Sequence, residues 1–492
     1  MSQRVVIIGA GLGGLSAAIH LCTMGYDVEV YEQNPLVGGR ANRIETNGFR
    51  FDTGPSLINY PWVFEQLFAV TGACMDDYVE LLPLDPSVTF FWRNGNQLQL
   101  SSDFQYLAEQ LSQFDDAAHA KLSAFLSANQ ERFRFLFDYL VLSNAETIGK
   151  WIAPVPKQGL MRLGMFRSLD RELARFFRSE SVRAALGSYA MYLGGSPYKL
   201  PGTFSILPFG ELYYGLWYPR GGIYALVEAI RRRAVEIGVR IFCNSPVRAI
   251  RIESNRARSV ELEDGTIVAA DAVVSNVDVP TTQTMIVGAV PHRQQWTMTP
   301  GVITFYWGVR RNIDTAHHHC IFLPSDPRTA YAQLRRRLPD DLPFYICVPS
   351  RSDPSVAPAG CSTVFVLVPA PTLSAAGPAF DWDAAIERSR QEVLQRLDMH
   401  GIAISPQDIV VEHVWAPHEW RQRFGLYDGS AFGLAHNLWN IGPFRPSNRD
   451  RRVARLYYAG ASTTPGTGLP MVVLSGAMVA QRIVSDEHSR VR

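Results

Sequence analysis

The sequence predicts an α/β fold, a split Rossmann-type nucleotide-binding domain carrying an inserted α+β domain. Three observations predict it. Residues 4–40 read as strand, glycine turn, helix and strand. A second strand–glycine–helix pattern returns at residues 456–485, and the stretch between separates into a helical block and a sheet-like block.

The opening element is Val5-Val6-Ile7-Ile8, a β-branched run of the kind buried in a parallel sheet. It runs into Gly9-Ala10-Gly11-Leu12-Gly13-Gly14, which fits G-x-G-x-x-G. Gly9 allows the tight turn, Gly11 lets the backbone approach a pyrophosphate, and Gly14 lets the helix lie close on the strand. The helix begins near Leu15 and stops at Gly25, with its free N–H groups facing the phosphates. A second strand, Asp27-Val-Glu-Val-Tyr31, delivers Glu32 to the position of a ribose-binding acid. A glycine turn alone is weak; all five features in register describe a dinucleotide site. They leave NAD and FAD both open.

Three further segments favour FAD. Leu36-Val37-Gly38-Gly39-Arg40 resembles the G-G-R element of the flavoproteins that include amine oxidases and carotenoid desaturases. There it lies along the pyrophosphate, with the arginine as cation. Val239-Arg-Ile-Phe-Cys243 and Pro246-Val247-Arg248-Ala-Ile250 read as short strands, and in that class the strand at the position of Val247 passes over the adenine. Finally, Leu456-Tyr-Tyr-Ala459 leads into Gly460-Ala461-Ser462, and Gly466-Thr-Gly468-Leu469-Pro470-Met471 opens a helix to about Ser485. That helix N-terminus would point at a flavin ring and stabilise its reduced charge.

On this reading residues 1–60, 215–290 and 450–492 form the FAD domain, and residues 61–214 and 291–449 the substrate domain. Residues 60–214 look mostly helical, while Ile303-Thr-Phe-Tyr-Trp-Gly-Val309 and Thr363-Val-Phe-Val-Leu-Val368 read as strands. The 492 residues, 47% hydrophobic and 19% charged, suffice for a large core in two joined domains. A net charge of +1 gives no reason to expect nucleic acid. Six scattered cysteines without C-x-x-C suit reduced thiols, and no signal peptide or apolar run long enough to span a bilayer is visible. The expectation is a cytoplasmic protein that touches membranes only peripherally. Residues 151–178 are the candidate contact region: Lys157, Arg162, Arg167, Arg171, Arg175 and Arg178 are interleaved with Leu160, Met161, Phe166 and other apolar residues. Arg167, Arg171, Arg175 and Arg178 would share one face of a helix, near lipid headgroups. A solvated charged face over ordinary core is the alternative.

Further strings carry a closer resemblance: Trp217-Tyr-Pro-Arg-Gly-Gly222, Val274-Ser-Asn276, Arg445-Pro-Ser-Asn-Arg-Asp450 and Tyr458-Ala-Gly-Ala-Ser-Thr-Thr-Pro-Gly-Thr-Gly-Leu-Pro470. Together they resemble the bacterial and fungal phytoene desaturases, FAD-dependent enzymes of the amine-oxidase-like superfamily. Ala461-Ser462 lacks the acid usual in amine oxidases, whereas Thr464 stands where the desaturases often carry His. The resemblance implies non-covalent FAD and contacts from Gly9, Ala10, Gly11, Gly13, Gly14, Glu32, Gln33, Gly39, Arg40, Gly54, Pro55, Val247, Gly460, Ala461, Gly468, Leu469, Pro470 and Met471. It also implies a long apolar isoprenoid substrate, most nearly phytoene, and quinone or oxygen as electron acceptor. A C30 diapophytoene or squalene-type desaturase, a later-step carotenoid desaturase or oxygenase, and a flavin-dependent isomerase are the alternatives.

Such a substrate calls for an aromatic tunnel, with Phe204, Tyr213, Tyr214, Trp217 and Trp307 as wall candidates, each of which reads first as plain core. No catalytic residue is assigned; Glu211 is a candidate base that also reads as a surface or structural carboxylate. His317-His-His319 with Cys320 invites a metal, but neighbours on a strand point to opposite faces, so no metal site is expected.

Overall fold

The computed structural model describes residues 3–491 apart from 157, 158, 160, 161 and 289–295. Lys157, Leu160 and Met161 therefore lie outside the described residues. Five parallel strands run in the order Leu456–Tyr458, Ala272–Ser275, Arg4–Ile8, Asp27–Tyr31, Arg240–Phe242. Ala272–Ser275 and Asp27–Tyr31 flank Arg4–Ile8, Leu456–Tyr458 adds to the first of these and Arg240–Phe242 to the second. Val5, Val6 and Ile7 are wholly buried, as the β-branched run requires.

Two helices cover one face of this sheet, Leu12–Thr23 and Leu469–Val491. They pack closely: the Ser16 hydroxyl donates to the Val473 carbonyl at 2.7 Å, and a Cβ on Gly476 would sit 2.5 Å from the Ala17 nitrogen. Beside them stands a small sheet ordered Ile267–Ala269, Arg256–Leu262, Val247–Glu253, Ile286–Val287.

The second large element is a seven-stranded mixed sheet ordered Ile409–Trp415, Gly301–Val309, Ser362–Ala370, Phe344–Cys347, His319–Phe322, Val88–Phe91, Gln97–Leu100. Its last two strands come from the block read as helical. Val88-Thr-Phe-Phe is too short to show a period, and all four residues are buried. Along Gly301–Val309 the two faces separate by parity. Ile303, Phe305, Trp307 and Val309 enter a core that also contains Val393 and Leu397 of the helix Trp382–Met399. Val302 and Tyr306 join the core on the other side.

The basic stretch is not one helix. Among the described residues Leu169–Leu173 is a short helix capped by the Ser168 side chain, the helix Ile148–Ile152 ends where the stretch begins, and Gly164 turns the chain at φ +69° between them. Arg167 and Arg175 stay partly exposed, but their guanidiniums converge on Glu172, at 3.3 and 2.7 Å. Glu172 is wholly buried and pairs at 2.7 Å with Arg132, which is itself buried on the helix Ala118–Phe135. Burial alone would raise the Glu172 carboxyl, but the guanidiniums outweigh it and hold it below the usual range. Two of the four arginines thus serve an internal acid, and the expectation that all four share one face of a single helix is corrected.

Candidate active site

A cavity of about 740 Å³ joins the carboxyl end of the parallel sheet to the floor formed by the mixed sheet. At the parallel sheet, Gly9 turns the chain at φ +91° and donates its N–H to the Tyr31 carbonyl at 2.8 Å. The Glu32 carboxylate accepts from Ala10 N at 2.8 Å and from Asn34 N at 2.9 Å, so it is fixed at the strand end. Gly9, Gly11, Gly13, Glu32, Gln33, Gly39, Arg40, Gly54, Pro55 and Val247 line the cavity. So do Gly460, Ala461, Gly468, Leu469, Pro470 and Met471 from the far end of the chain.

Ala10 and Gly14 do not line it. Ala10 is buried behind the turn, and Gly14 packs on the strand: a Cβ there would overlap the Gly9 carbonyl oxygen. Two expected contacts are tethered elsewhere. Arg40 donates to the Ala431 carbonyl at 2.8 Å and Gln33 to the Arg423 carbonyl at 2.9 Å.

The residue that sequence reasoning passed over is Asn276. It was quoted in the desaturase-like string but given no role. Its amide donates to the Ala459 carbonyl at 3.0 Å, and a Cβ on Gly11 or Gly13 would lie 2.5 or 2.8 Å from its side-chain atoms. Asn276 thus locks the opening turn to the closing one. Arg445 plays a similar part behind the closing loop. Its buried guanidinium donates to the carbonyls of Thr463 at 2.8 Å and Ala461 at 2.5 Å, and burial pulls it down to about 9.

The other end of the cavity is apolar and aromatic, with Phe137, Trp151, Tyr189, Tyr192, Phe204, Tyr345 and Phe365 in its wall. Of the five wall candidates only Phe204 is among them. Trp307 sits on the odd-numbered face of its strand, its indole donating to Glu412 at 2.7 Å, whereas Val302 and Thr304 face the cavity. The helix Ile206–Tyr214 turns Ile206, Leu207 and Glu211 inward, so Tyr213 is half exposed and Tyr214 packs against Tyr60 and Phe133. Trp217 donates to the Tyr214 carbonyl at 3.0 Å, off the cavity.

Glu211 is buried in this wall, so the surface reading fails. It contacts Ser87 Oγ at 2.6 Å, and burial pushes its carboxyl up to about 7. The fold therefore favours the neutral acid. The stability this contributes is complete below the unfolded value of 4.5 and is lost as pH rises through 7. Glu211→Gln, which mimics the neutral acid, should gain on the wild type by about 3 kcal/mol between pH 4.5 and 8. Urea unfolding at both pH values checks it; parallel pH dependences would show that the carboxyl is not buried neutral.

The histidine triplet also departs from expectation. His318 precedes the strand His319–Phe322 instead of alternating within it, and its ring stacks edge-on to that of His319 at 4.5 Å. His317 turns aside to Thr89 and Cys320 toward the His317 carbonyl, but Cys347, cross-strand from His319, faces the other two. Strand alternation was the wrong reason to rule out convergence.

Glycine cradle, fixed strand-end acid and closing helix N-terminus define the nucleotide half of a flavin-dependent oxidoreductase. The chain matches the flavin containing amine oxidoreductase family over residues 12–484. It is 35% identical over 494 residues to a zeta-carotene-forming phytoene desaturase of Myxococcus xanthus, covering 99% of this chain and 95% of that protein. It is 33% identical to a 4,4'-diapolycopene oxygenase of Methylomonas sp, covering 99% of each. A phytoene desaturase of Phycomyces blakesleeanus is 31% identical, covering 100% of this chain and 86% of that one. Among solved structures, putrescine oxidase with bound putrescine superimposes with a TM-score of 0.64 at 15% identity, over 99% of both chains. The chain belongs to the flavin containing amine oxidoreductase family and stands with its carotenoid desaturases.

Proposed function

We propose that the chain is an FAD-dependent desaturase that introduces double bonds into a long acyclic isoprenoid, phytoene first among the substrates to test. One observation carries the reading: the glycine cradle and an apolar, aromatic wall belong to the same cavity. FAD suits the cradle because Gly11 and Gly13 leave clear the space a side chain would fill, and Glu32 is held where a ribose lies. When bound, FAD supplies the two-electron acceptor. Residues 1–60, 215–290 and 450–492 would hold it non-covalently, with Val247 against the adenine, while residues 61–214 and 291–449 hold the substrate. A hydrocarbon offers no charged handle, so its affinity comes from buried apolar area, roughly 25 cal/mol per Å². Quinone or oxygen then takes the electrons onward.

Holoprotein incubated with phytoene in liposomes should yield products with more conjugated double bonds, read by absorbance and chromatography. A parallel arm with C30 diapophytoene decides chain length. A product with an unchanged count of double bonds would replace desaturation by isomerisation.

Peripheral membrane contact belongs to the same proposal, at a different surface from the arginines. No helix among the described residues is long and apolar enough to cross a membrane. Around the cavity residues Trp151, Ile441 and Gly442 lie exposed Leu142, Ile148, Leu438 and Phe444, with Trp439 75% exposed against Phe444. Apolar side chains around a lipid-binding mouth suit a bilayer interface. The double variant Trp439→Ser, Phe444→Ser should lower the fraction co-floating with liposomes at least several-fold while leaving flavin content unchanged. Undiminished flotation would move the contact elsewhere.

A further inference from the structure

His318 and His319 are both buried, and each ring is held by one nitrogen only. His318 Nδ1 lies 2.8 Å from Ser352 Oγ, and His319 Nδ1 lies 2.7 Å from the Tyr345 hydroxyl. The Nε2 atom of each is buried with no hydrogen-bond partner. A buried nitrogen without a partner is costly to the fold, and here two of them lie on adjacent, touching rings. The Cys347 thiol completes the group: one ring nitrogen from each histidine and the Cys347 Sγ all lie within 4.8 Å of one another.

This arrangement has the signature of a transition-metal site. Histidine ligands present one nitrogen to the ion while the other bonds a second group that fixes the ring, which is the part Ser352 and Tyr345 play here. Burial keeps both imidazoles neutral, as ligation requires. We propose that His318 Nε2, His319 Nε2 and Cys347 Sγ bind a thiophilic d10 cation, Zn²⁺ first, in a His₂Cys set with one position left for water. Zinc–nitrogen and zinc–sulfur bonds of about 2.0–2.3 Å set tetrahedral ligand atoms roughly 3.3–3.6 Å apart, so atoms now within 4.8 Å of one another close by up to about 1.5 Å, within the reach of side-chain rotation.

Binding exchanges the thiol proton for the metal: the S–H bond breaks, the Zn–S bond forms and the proton goes to solvent. The ion and one thiolate leave a single positive charge. Asp52 stands near to offset it, accepting from Ile223 N at 2.8 Å behind Tyr218, whose ring lies 4.6 Å from that of His318. A metal on Nε2 also fixes which way the neighbouring hydrogen bonds run. His319 must then donate from Nδ1 to Tyr345, which in turn donates to Ser56 Oγ, 2.6 Å away on the cavity wall. The ion acts as a positioning group for the substrate floor.

The test uses full-length holoprotein, stripped with chelator, reloaded with Zn²⁺ or Co²⁺ and desalted. One metal per chain is expected, with Co²⁺ d–d absorption to the red of the flavin bands. Zinc X-ray absorption should show one sulfur near 2.3 Å and two nitrogens near 2.0–2.1 Å. Cys347→Ala should cut metal content at least tenfold with flavin retained, whereas Cys22→Ala, on the nucleotide domain, should change neither. Metal below about 0.1 per chain after reloading, a zinc shell without sulfur, or a cobalt spectrum indifferent to Cys347→Ala would each overturn the site. The X-ray measurement on the wild type decides even if the variant fails to fold.

Discussion

Glu172→Ala should destabilise the protein by about 3–5 kcal/mol, the usual consequence of stranding a buried guanidinium. For a chain of this size that lowers the unfolding midpoint by about 3–5 °C, measurable by calorimetry. Among the described residues Arg132 has no other carboxylate to turn to: its remaining contacts are Asn129 Oδ1 at 2.8 Å, the Arg162 carbonyl at 3.0 Å and Ser205 Oγ. Arg167 and Arg175 reach the surface and can hydrate, so they add little to the loss. Replacing both members, Arg132→Met with Glu172→Leu, should recover most of the stability, because two desolvated charges are removed together. The helix anchored by Arg132 runs on into Leu136–Val141, whose Leu136, Phe137, Leu140 and Val141 line the cavity. Glu172→Ala should therefore impair substrate turnover more than flavin retention. A loss of flavin equal to the loss of turnover would contradict that division.

Gly14→Ala should fold but retain little flavin. The added methyl would overlap the Gly9 carbonyl oxygen, which forms part of the turn and cannot rotate away. Pushing the helix off the strand at a cost of about 1–3 kcal/mol shifts the N–H groups proposed to face the flavin nucleotide, so affinity should fall about ten- to hundredfold. The ratio of flavin to protein absorbance after gel filtration measures it. Gly149→Ala, where a Cβ meets nothing within 4 Å, is the matched control and should keep its flavin. Full occupancy in the Gly14 variant would mean that the helix position does not govern the site.

These two residues also mark what was legible in the sequence. Around Gly14 every requirement is local. The strand Asp27–Tyr31 fell where its residues alone placed it, and Glu32 at its end, because turn, helix and strand follow one another without a gap. Around Glu172 the buried partner is not local: Arg132 stands 40 residues away, and regular arginine spacing suggested one helix that the turn at Gly164 and the short helix Leu169–Leu173 do not permit. The cavity wall was hidden for a related reason. Whether Trp307 or Tyr306 faces one side is a matter of parity, and only the pairing of Gly301–Val309 with both neighbours fixes it. The same rule misled at His318, one residue ahead of the strand to which it was assigned. Asn276 was visible as a residue, but the glycines it touches are some 265 and 184 positions away, beyond any local pattern.

The order of the parallel sheet has a consequence for how the protein is made. A ribosome that has released residues 1–450 has delivered four of the five strands, yet the edge Ala272–Ser275 still lacks its neighbour Leu456–Tyr458, and the helix Leu12–Thr23 lacks its cover Leu469–Val491. Until those last elements emerge, an apolar strand edge and helix face stand open to other nascent chains. The nucleotide end of the cavity is thus complete only when residues 456–471 have joined the earlier strands. Yield of active protein in cells should depend on chaperone supply during that interval more than on the stability of the finished fold.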